Sequence, residues 1–317
     1  MNKLFSFLFL MSVTFSFARD FDKVDEIVRA YPSKVSNLET IGTLIKKDFN
    51  DDSEKARAVY FWIAINFEFD VQASIALGNS SAIAFTYKNE QERIAKESKF
   101  KAQVISNSLA SGKAICHGYS MIYEKLSTLS GLESKIILGN LKSDPTQIGR
   151  LNFVTDHAWN VVKIDKEWKF VDTTLGAGYI SQKDNSFKFD FSDAYFFISP
   201  EKLFLNHFPE DIRWLIVAKT KKDFAELPLF YRDYFNSNYQ LSPEKGIVSS
   251  TSPSFRVEIK NLDDYDRVEY VFGSDNNLIY LDNDEKETVF DISLNEKSND
   301  YLTIYINRKI IATYFVK

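Results

Sequence analysis

The chain has 317 residues, 39 Lys plus Arg against 44 Asp plus Glu, a formal charge of −5 and a pI near 5.4; 44% of its residues are hydrophobic and 26% charged. This is the profile of an ordinary globular protein rather than a disordered one, and at roughly 100–200 residues per domain the length suggests two domains. There is no basic tract to neutralise phosphates, which excludes nucleic acid as the main partner; with one cysteine a disulfide within the chain is impossible, and a structural zinc site built on thiolates has no support.

The first eighteen residues read as an address. Met1-Asn2-Lys3 is a short positive start, Leu4 to Phe17 is free of charge, and Ser16-Phe17-Ala18 puts small residues at the −3 and −1 positions of a cleavage site. That pattern is a secretory signal peptide cleaved near Ala18, shorter than the ~20 apolar residues of a membrane span. The expectation is therefore a secreted or periplasmic protein with no stable membrane insertion after signal cleavage. An exported chain that keeps a lone thiol either uses it or buries it, which directs attention to Cys116.

Residues 21–31 have helical spacing and stop before Pro32, and 36–48 carry Leu38, Ile41, Leu44 and Ile45 on one stripe. Asp51 to Glu54 is a cap-like start to a helix, Ala56 to Phe67, apolar all round and hence buried. A polar helix spans 90–112 and ends at Gly112; another runs from Cys116 to Ser130 and stops at Gly131. Short β-type runs then follow at 134–139, 158–164, 167–172 and 195–198. Helices first and strands later give an α+β fold, helices packed on an antiparallel sheet, over 19–235. Residues 236–254 are rich in Ser, Pro, Asn and Gly and read as a linker. Alternating runs from 255 to 317, with turns every 8–12 residues, predict a small all-β sandwich.

Three residues are candidates for chemistry. Cys116 follows the turn Ser111-Gly112-Lys113 and precedes an apolar helix, so its sulfur falls in a first helical turn. There the unpaired N–H groups and the helix dipole favour a thiolate, with Lys113 adding positive charge. His157 stands at the entrance of a strand continuing into Trp159 and Val161, where an imidazole is placed to serve as a base. Asp172 ends the apolar run from Trp168, and a half-buried carboxylate there needs a partner such as an imidazolium. Taken singly, each has a structural reading: a packed thiol, a hydrogen-bonded surface histidine, a turn-starting aspartate. A hairpin between His157 and Asp172 brings both to one end, although a three-residue loop at 165–167 would set Asp172 opposite Asn160, on the other face from His157.

The segments Lys113 to Tyr119, His157-Ala158-Trp159-Asn160 and Trp168 to Asp172 resemble the transglutaminase-like (papain-like) cysteine enzymes. Arg57 to Ile63 with Asp70, Gly131-Leu132-Glu133, and His207 to Leu215 narrow the resemblance to the kyphoscoliosis-peptidase branch, over roughly 35–217. The resemblance implies a papain/transglutaminase-like core in which Cys116 attacks an acyl carbon, His157 moves the proton and Asp172 orients the imidazole. The backbone N–H of Cys116 would face the oxyanion. His117, about 100° round the helix from Cys116, is not expected to be the base, and His207, with Pro209 and Trp214, resembles a packing motif. The implied partner is a protein or peptide substrate, with no cofactor and no metal ligands assigned; calcium is not implied, as no acidic cluster has EF-hand spacing. An immunoglobulin-like C-terminal module would be in keeping, with a protein or glycan as its ligand. With a silent triad, the same chain would serve as a binding scaffold at the cell surface.

Overall fold

A computed structural model describes residues 21–78, 86–181, 183–273, 275, 277–281, 288–294 and 297–317. The signal-peptide reading falls on residues outside these. No helix among the described residues is long and apolar enough to cross a membrane.

The helical part comprises α1 (Asp22–Arg29), α2 (Glu39–Asp48), α3 (Asp52–Asn66), a two-residue strand β1 (Glu68–Phe69), α4 (Val71–Leu77), α5 (Glu90–Ser111), β2 (Lys113–Ala114) and α6 (Cys116–Leu129). The Asp51 carboxylate accepts from the N–H groups of Ser53 and Glu54 and so caps α3, which is buried continuously from Ala56 to Ala64. Its one charge in that stretch, Arg57, is satisfied inside the core. Nε and Nη2 reach the Asp25 carboxylate at 2.8 and 2.6 Å, and Nη1 reaches Asp193 at 2.5 Å. Gly112, at φ 69°, ends α5 in the left-handed conformation that needs no Cβ, and turns the chain into β2 and Cys116.

The sheet follows: β3 (Ser134–Leu141), β4 (His157–Ile164), β5 (Glu167–Val171), then α7 (Thr173–Ala177), the hairpin β6 (Gly178–Ile180) and β7 (Phe187–Phe189), β8 (Phe196–Ile198) and β9 (His207–Pro209). Its order is β8-β5-β4-β3-β9, antiparallel throughout. Both faces of β4 are covered. Val162 and Ile164 join the helical core, whereas Trp159 and Val161 join the core of the C-terminal strands. A strand buried on two sides has no polar face, which is why this one reads as a nearly continuous apolar run.

The C-terminal strands stack as two sheets. Gln240–Ser242, Ser254–Lys260 and Val289–Ser293 form one; the other is built on Val268–Phe272, Asp300–Ile306 and Lys309–Val316. Alternation sends Val257, Ile259, Ile292, Ile304 and Tyr314 into the shared interior. The stretch 236–254 is more than a connector: Gln240–Ser242 pairs with Ser254–Lys260, and Ile247–Val248 pairs in parallel with the last strand. Composition hides these strands because their apolar residues are single and short, yet Leu241 and Val248 are buried.

The β4–β5 turn is one residue tighter than the sequence suggested. Ile164 pairs with Glu167, leaving only Asp165 and Lys166 in the turn, at φ 50° and 71°. Two successive positive-φ residues make the hairpin turn whose twist matches the flanking strands. With Asn160 opposite Val171, continuing the register by one sets Asp172 across from Trp159, on the same face as His157. The expected misalignment therefore disappears without a bulge between these two strands.

Gly139 pairs with His157 on one side and Pro209 on the other. A Cβ there would run into Phe208 O, the Trp159 ring and Pro209 Cα, of which two are backbone atoms that cannot swing aside. Gly139→Ala is expected to destabilise the protein by about 1–3 kcal/mol through forced separation of β3 and β9, measured as a lower urea midpoint at unchanged m-value.

Candidate active site

Helix α6 begins at Cys116 with Ile115 as an N-cap that offers no side-chain acceptor. The first backbone bond of the helix is Tyr119 N–H to Ile115 O, so the N–H groups of Cys116, His117 and Gly118 precede it. α6 lies across β3 and β4 and is tied to β4 by Asn160, whose side-chain amide donates to Ser120 O at 3.1 Å. On another side Gly118 lets β2 and α5 come close, since a Cβ there would meet Ala114 and Ser108. The helix start is thereby held at the end of β4 where His157 stands.

The three sequence candidates come together. His157 Nε2 lies 2.6 Å from Asp172 Oδ2, and the imidazole is near enough to Cys116 for each to act on the other's ionisation. With Nε2 engaged by the carboxylate, Nδ1 is the nitrogen left for the sulfur. All three are buried, with 7% exposure at Cys116, 4% at His157 and 0% at Asp172.

Asp172 is the N-cap of α7 as well as the end of β5. Its Oδ1 accepts the Leu175 N–H at 3.0 Å, while Oδ2 takes the His157 contact and a second one from His207 Nε2 at 2.9 Å. Tyr60 presses on Gly176, where a Cβ would collide with its hydroxyl, and its OH donates to Ser192 O at 2.6 Å. These contacts fix α7 and hence the carboxylate. His207, read from sequence as a packing residue, is buried with Nδ1 2.6 Å from the Asn206 side chain. It packs, and it also grips the Asp172 carboxylate. The available clue was scarcity: the chain has three histidines, and all three lie at this site.

Two local expectations change. Lys113 turns away from the sulfur and pairs with Glu68 at 2.9 Å on the exposed β1–β2 ladder. His117 does not point off around the helix: its ring folds back so that Nδ1 is 3.8 Å from Cys116 Sγ.

The electrostatics follow from burial and partners. Burial alone would push the Cys116 thiol up, but hydrogen bonds from His117 and His157 and their charge outweigh it and hold the thiol down at about 6. Against an ordinary value of 9.0, at about 1.4 kcal/mol per unit, that is a preference for thiolate on the order of 4 kcal/mol. Burial would lower His157, yet Asp172 and then Cys116 raise it to about 10. Asp172, despite complete burial, is held well below the usual carboxylate range by His157 and His207. His207 is lowered by burial, against the pull of the same carboxylate.

His157, Asp172 and His207 bring donor atoms within 4.8 Å of one another, the one such metal-sized group among the described residues. Those atoms are turned to hydrogen bonds among themselves, the arrangement an acid–base relay uses.

No family model matches the chain. Among curated proteins, the kyphoscoliosis peptidase of Mus musculus is 27% identical over 246 residues, covering 77% of this chain and 33% of its own length. The Homo sapiens protein of that name is 25% identical over 248 residues, covering 77% and 34%. The Lim and transglutaminase domain protein ltd-1 of Caenorhabditis elegans is 22% identical over 247 residues, covering 71% and 30%. The chain thus spans about a third of the length of these curated relatives. A solved structure described as a TGase aligns at a TM-score of 0.30 with 16% identity, over 58% of this chain and 38% of that one. From its motifs and these relatives, the chain is transglutaminase-like, resembling the kyphoscoliosis-peptidase branch of that superfamily.

Proposed function

We propose that this chain is an exported cysteine enzyme that cleaves or transfers protein or peptide acyl groups through a Cys116–His157–Asp172 triad. The observation that carries the reading is the buried His157–Asp172 pair at 2.6 Å, whose imidazole acts on the Cys116 thiol at the start of α6. The Cys116 thiolate would attack the carbonyl carbon of an amide. The N–H of Cys116, unused within its helix, faces the developing oxyanion. His157 gives its proton to the leaving amine as the C–N bond breaks, which leaves a thioester on the sulfur. Water or a second amine then attacks the thioester, His157 takes the proton of the incoming group, and the sulfur departs as thiolate. Hydrolysis and acyl transfer share every step but the identity of that last nucleophile. The kyphoscoliosis peptidases carry a peptidase name, which favours protein substrates for this chain too.

The test is turnover of a casein-type protein or a mixed peptide library, with and without a small primary amine. Cys116→Ala should abolish both hydrolysis and amine incorporation, and His157→Ala should lower kcat by about 10²–10⁴-fold. Full activity in Cys116→Ala would overturn the enzymatic reading; a deletion phenotype rescued by that variant would then favour the binding scaffold.

The pH profile has a definite sign. A thiol held at about 6 is thiolate above that pH, and an imidazolium held at about 10 keeps its proton below it. Plots of kcat/KM should therefore fall below about pH 6 and again near pH 10. Asp172→Asn removes the charge that raises His157, so the alkaline limb should move to lower pH.

Export is proposed from residues 1–18 and predicts a mature protein whose first residue, read by N-terminal sequencing, is Arg19; retention of Met1 on the extracytoplasmic protein would contradict it.

A further inference from the structure

The triad leaves one imidazole at the site without a task. His117 is buried at 5% exposure, its Nδ1 lies 3.8 Å from Cys116 Sγ, and its Nε2 has no hydrogen-bond partner. A packing role would be filled better by an apolar ring, because a buried polar nitrogen without a partner is costly. The two nitrogens are not equivalent in that cost. A buried N–H left unpaired is rarer and worse than an acceptor lone pair left unpaired. The ring's proton therefore belongs on Nδ1, where the sulfur receives it, and the bare lone pair belongs on Nε2.

We propose that His117 is a second thiolate-holding residue, donating from Nδ1 to Cys116 Sγ independently of His157. The proposal rests on the cysteine-enzyme reading above and adds a residue to it. Its use is clearest in the second half-reaction. When water or an amine attacks the thioester, His157 is occupied by the incoming proton while the C–S bond breaks and the electron pair returns to sulfur. A donor other than His157 is then needed at the departing thiolate, and His117 Nδ1–H is the one placed to supply it.

The titratable groups that act on the sulfur are His117 from α6 itself and His157 from β4. Lys113 on β2 is committed to Glu68 on β1, Lys101 of α5 is paired with Glu124 of α6, Arg57 of α3 is held by Asp25, and Asp172 at the head of α7 acts through His157. A change at position 117 is thus read at the sulfur without a second charged group shifting beside it.

The experiment titrates the thiol by its alkylation rate with iodoacetamide across pH in the full-length protein, for wild type, His117→Phe and His117→Asn. Phenylalanine keeps the ring's shape and removes both nitrogens; asparagine places an amide NH2 near the Nδ1 position. The expected result is a rate midpoint about one pH unit higher in His117→Phe, a tenfold loss of thiolate on the acid limb, with His117→Asn returning most of the way to wild type. A midpoint unmoved in both variants, or raised equally in both, overturns the proposal while leaving the Cys116–His157–Asp172 reading intact. A wild-type midpoint like that of free cysteine overturns both. Should His117→Phe fail to fold, as judged by circular dichroism, the asparagine variant compared with His117→Ala supplies the same contrast.

Discussion

The site depends on one buried carboxylate. Asp172 is fully enclosed, and an isolated ion in that position would cost several kcal/mol. It is tolerated because three N–H donors converge on its two oxygens: His157 Nε2 at 2.6 Å, His207 Nε2 at 2.9 Å and the Leu175 amide at 3.0 Å. Those donors come from β4, β9 and α7, which are far apart in sequence and adjacent in space only if the sheet has closed in its observed order. Removing any of them leaves a charged group under-satisfied in the interior. The carboxylate therefore couples the integrity of the fold to the orientation of the imidazole that faces Cys116, and a relay of this kind is rigid for the same reason that it is buried.

The neighbouring elements can be understood as supports for that arrangement. One face of the sheet carries α3 and α6; the other shares a core with the C-terminal sandwich. Tyr60 of α3 seats Gly176 and fixes the head of α7, while Tyr195 accepts the Asp172 N–H through its carbonyl at 3.0 Å. Gly139 allows β9 to approach β3 closely enough for His207 to reach the carboxylate. The C-terminal strands are in this sense part of the same body: Ile137, Trp159 and Phe170 from the sheet lie in one apolar cluster with Val257, Ile304 and Tyr314.

Much of this was legible beforehand where chemistry is local. Caps and stops such as Asp51, Gly112 and Gly131, the all-round apolar run from Ala56, and the alternation from 255 onward each report their element, because each depends on a few neighbouring residues. The candidates Cys116, His157 and Asp172 drew notice because a polar group on an apolar strand or at a helix start must be explained. What stayed hidden was non-local. The two-residue turn at Asp165-Lys166 has no glycine to announce it, so the register of Asp172 could not be set from the chain alone. His207 gave no sign of its carboxylate contact, since that contact joins β9 to the end of β5 across the whole sheet. The approach of the His117 ring to the sulfur was hidden too, because ideal helix angles give the direction of a Cβ and not the rotamer that brings a ring back over its neighbour.

Two imidazoles on one oxygen pose a question of charge, and geometry answers it. The His157 and His207 rings are 5.4 Å apart between centroids. Two positive charges at that separation, in an effective dielectric of about 20, repel by about 3 kcal/mol. One carboxylate can therefore hold one imidazolium well and a second only poorly. Both rings are buried and share Asp172, so neither burial nor the carboxylate decides between them. The difference is Cys116: His157 gains a second anionic partner in the thiolate and is raised, while His207 has the neutral side chain of Asn206 on its far side and is lowered. The mobile proton thus belongs to the His157 ring, whose charge acts on the sulfur. His207 is itself held on both sides, by the Asp172 carboxylate at 2.9 Å and by Asn206 at 2.6 Å, so it braces the carboxylate from the side away from the thiol.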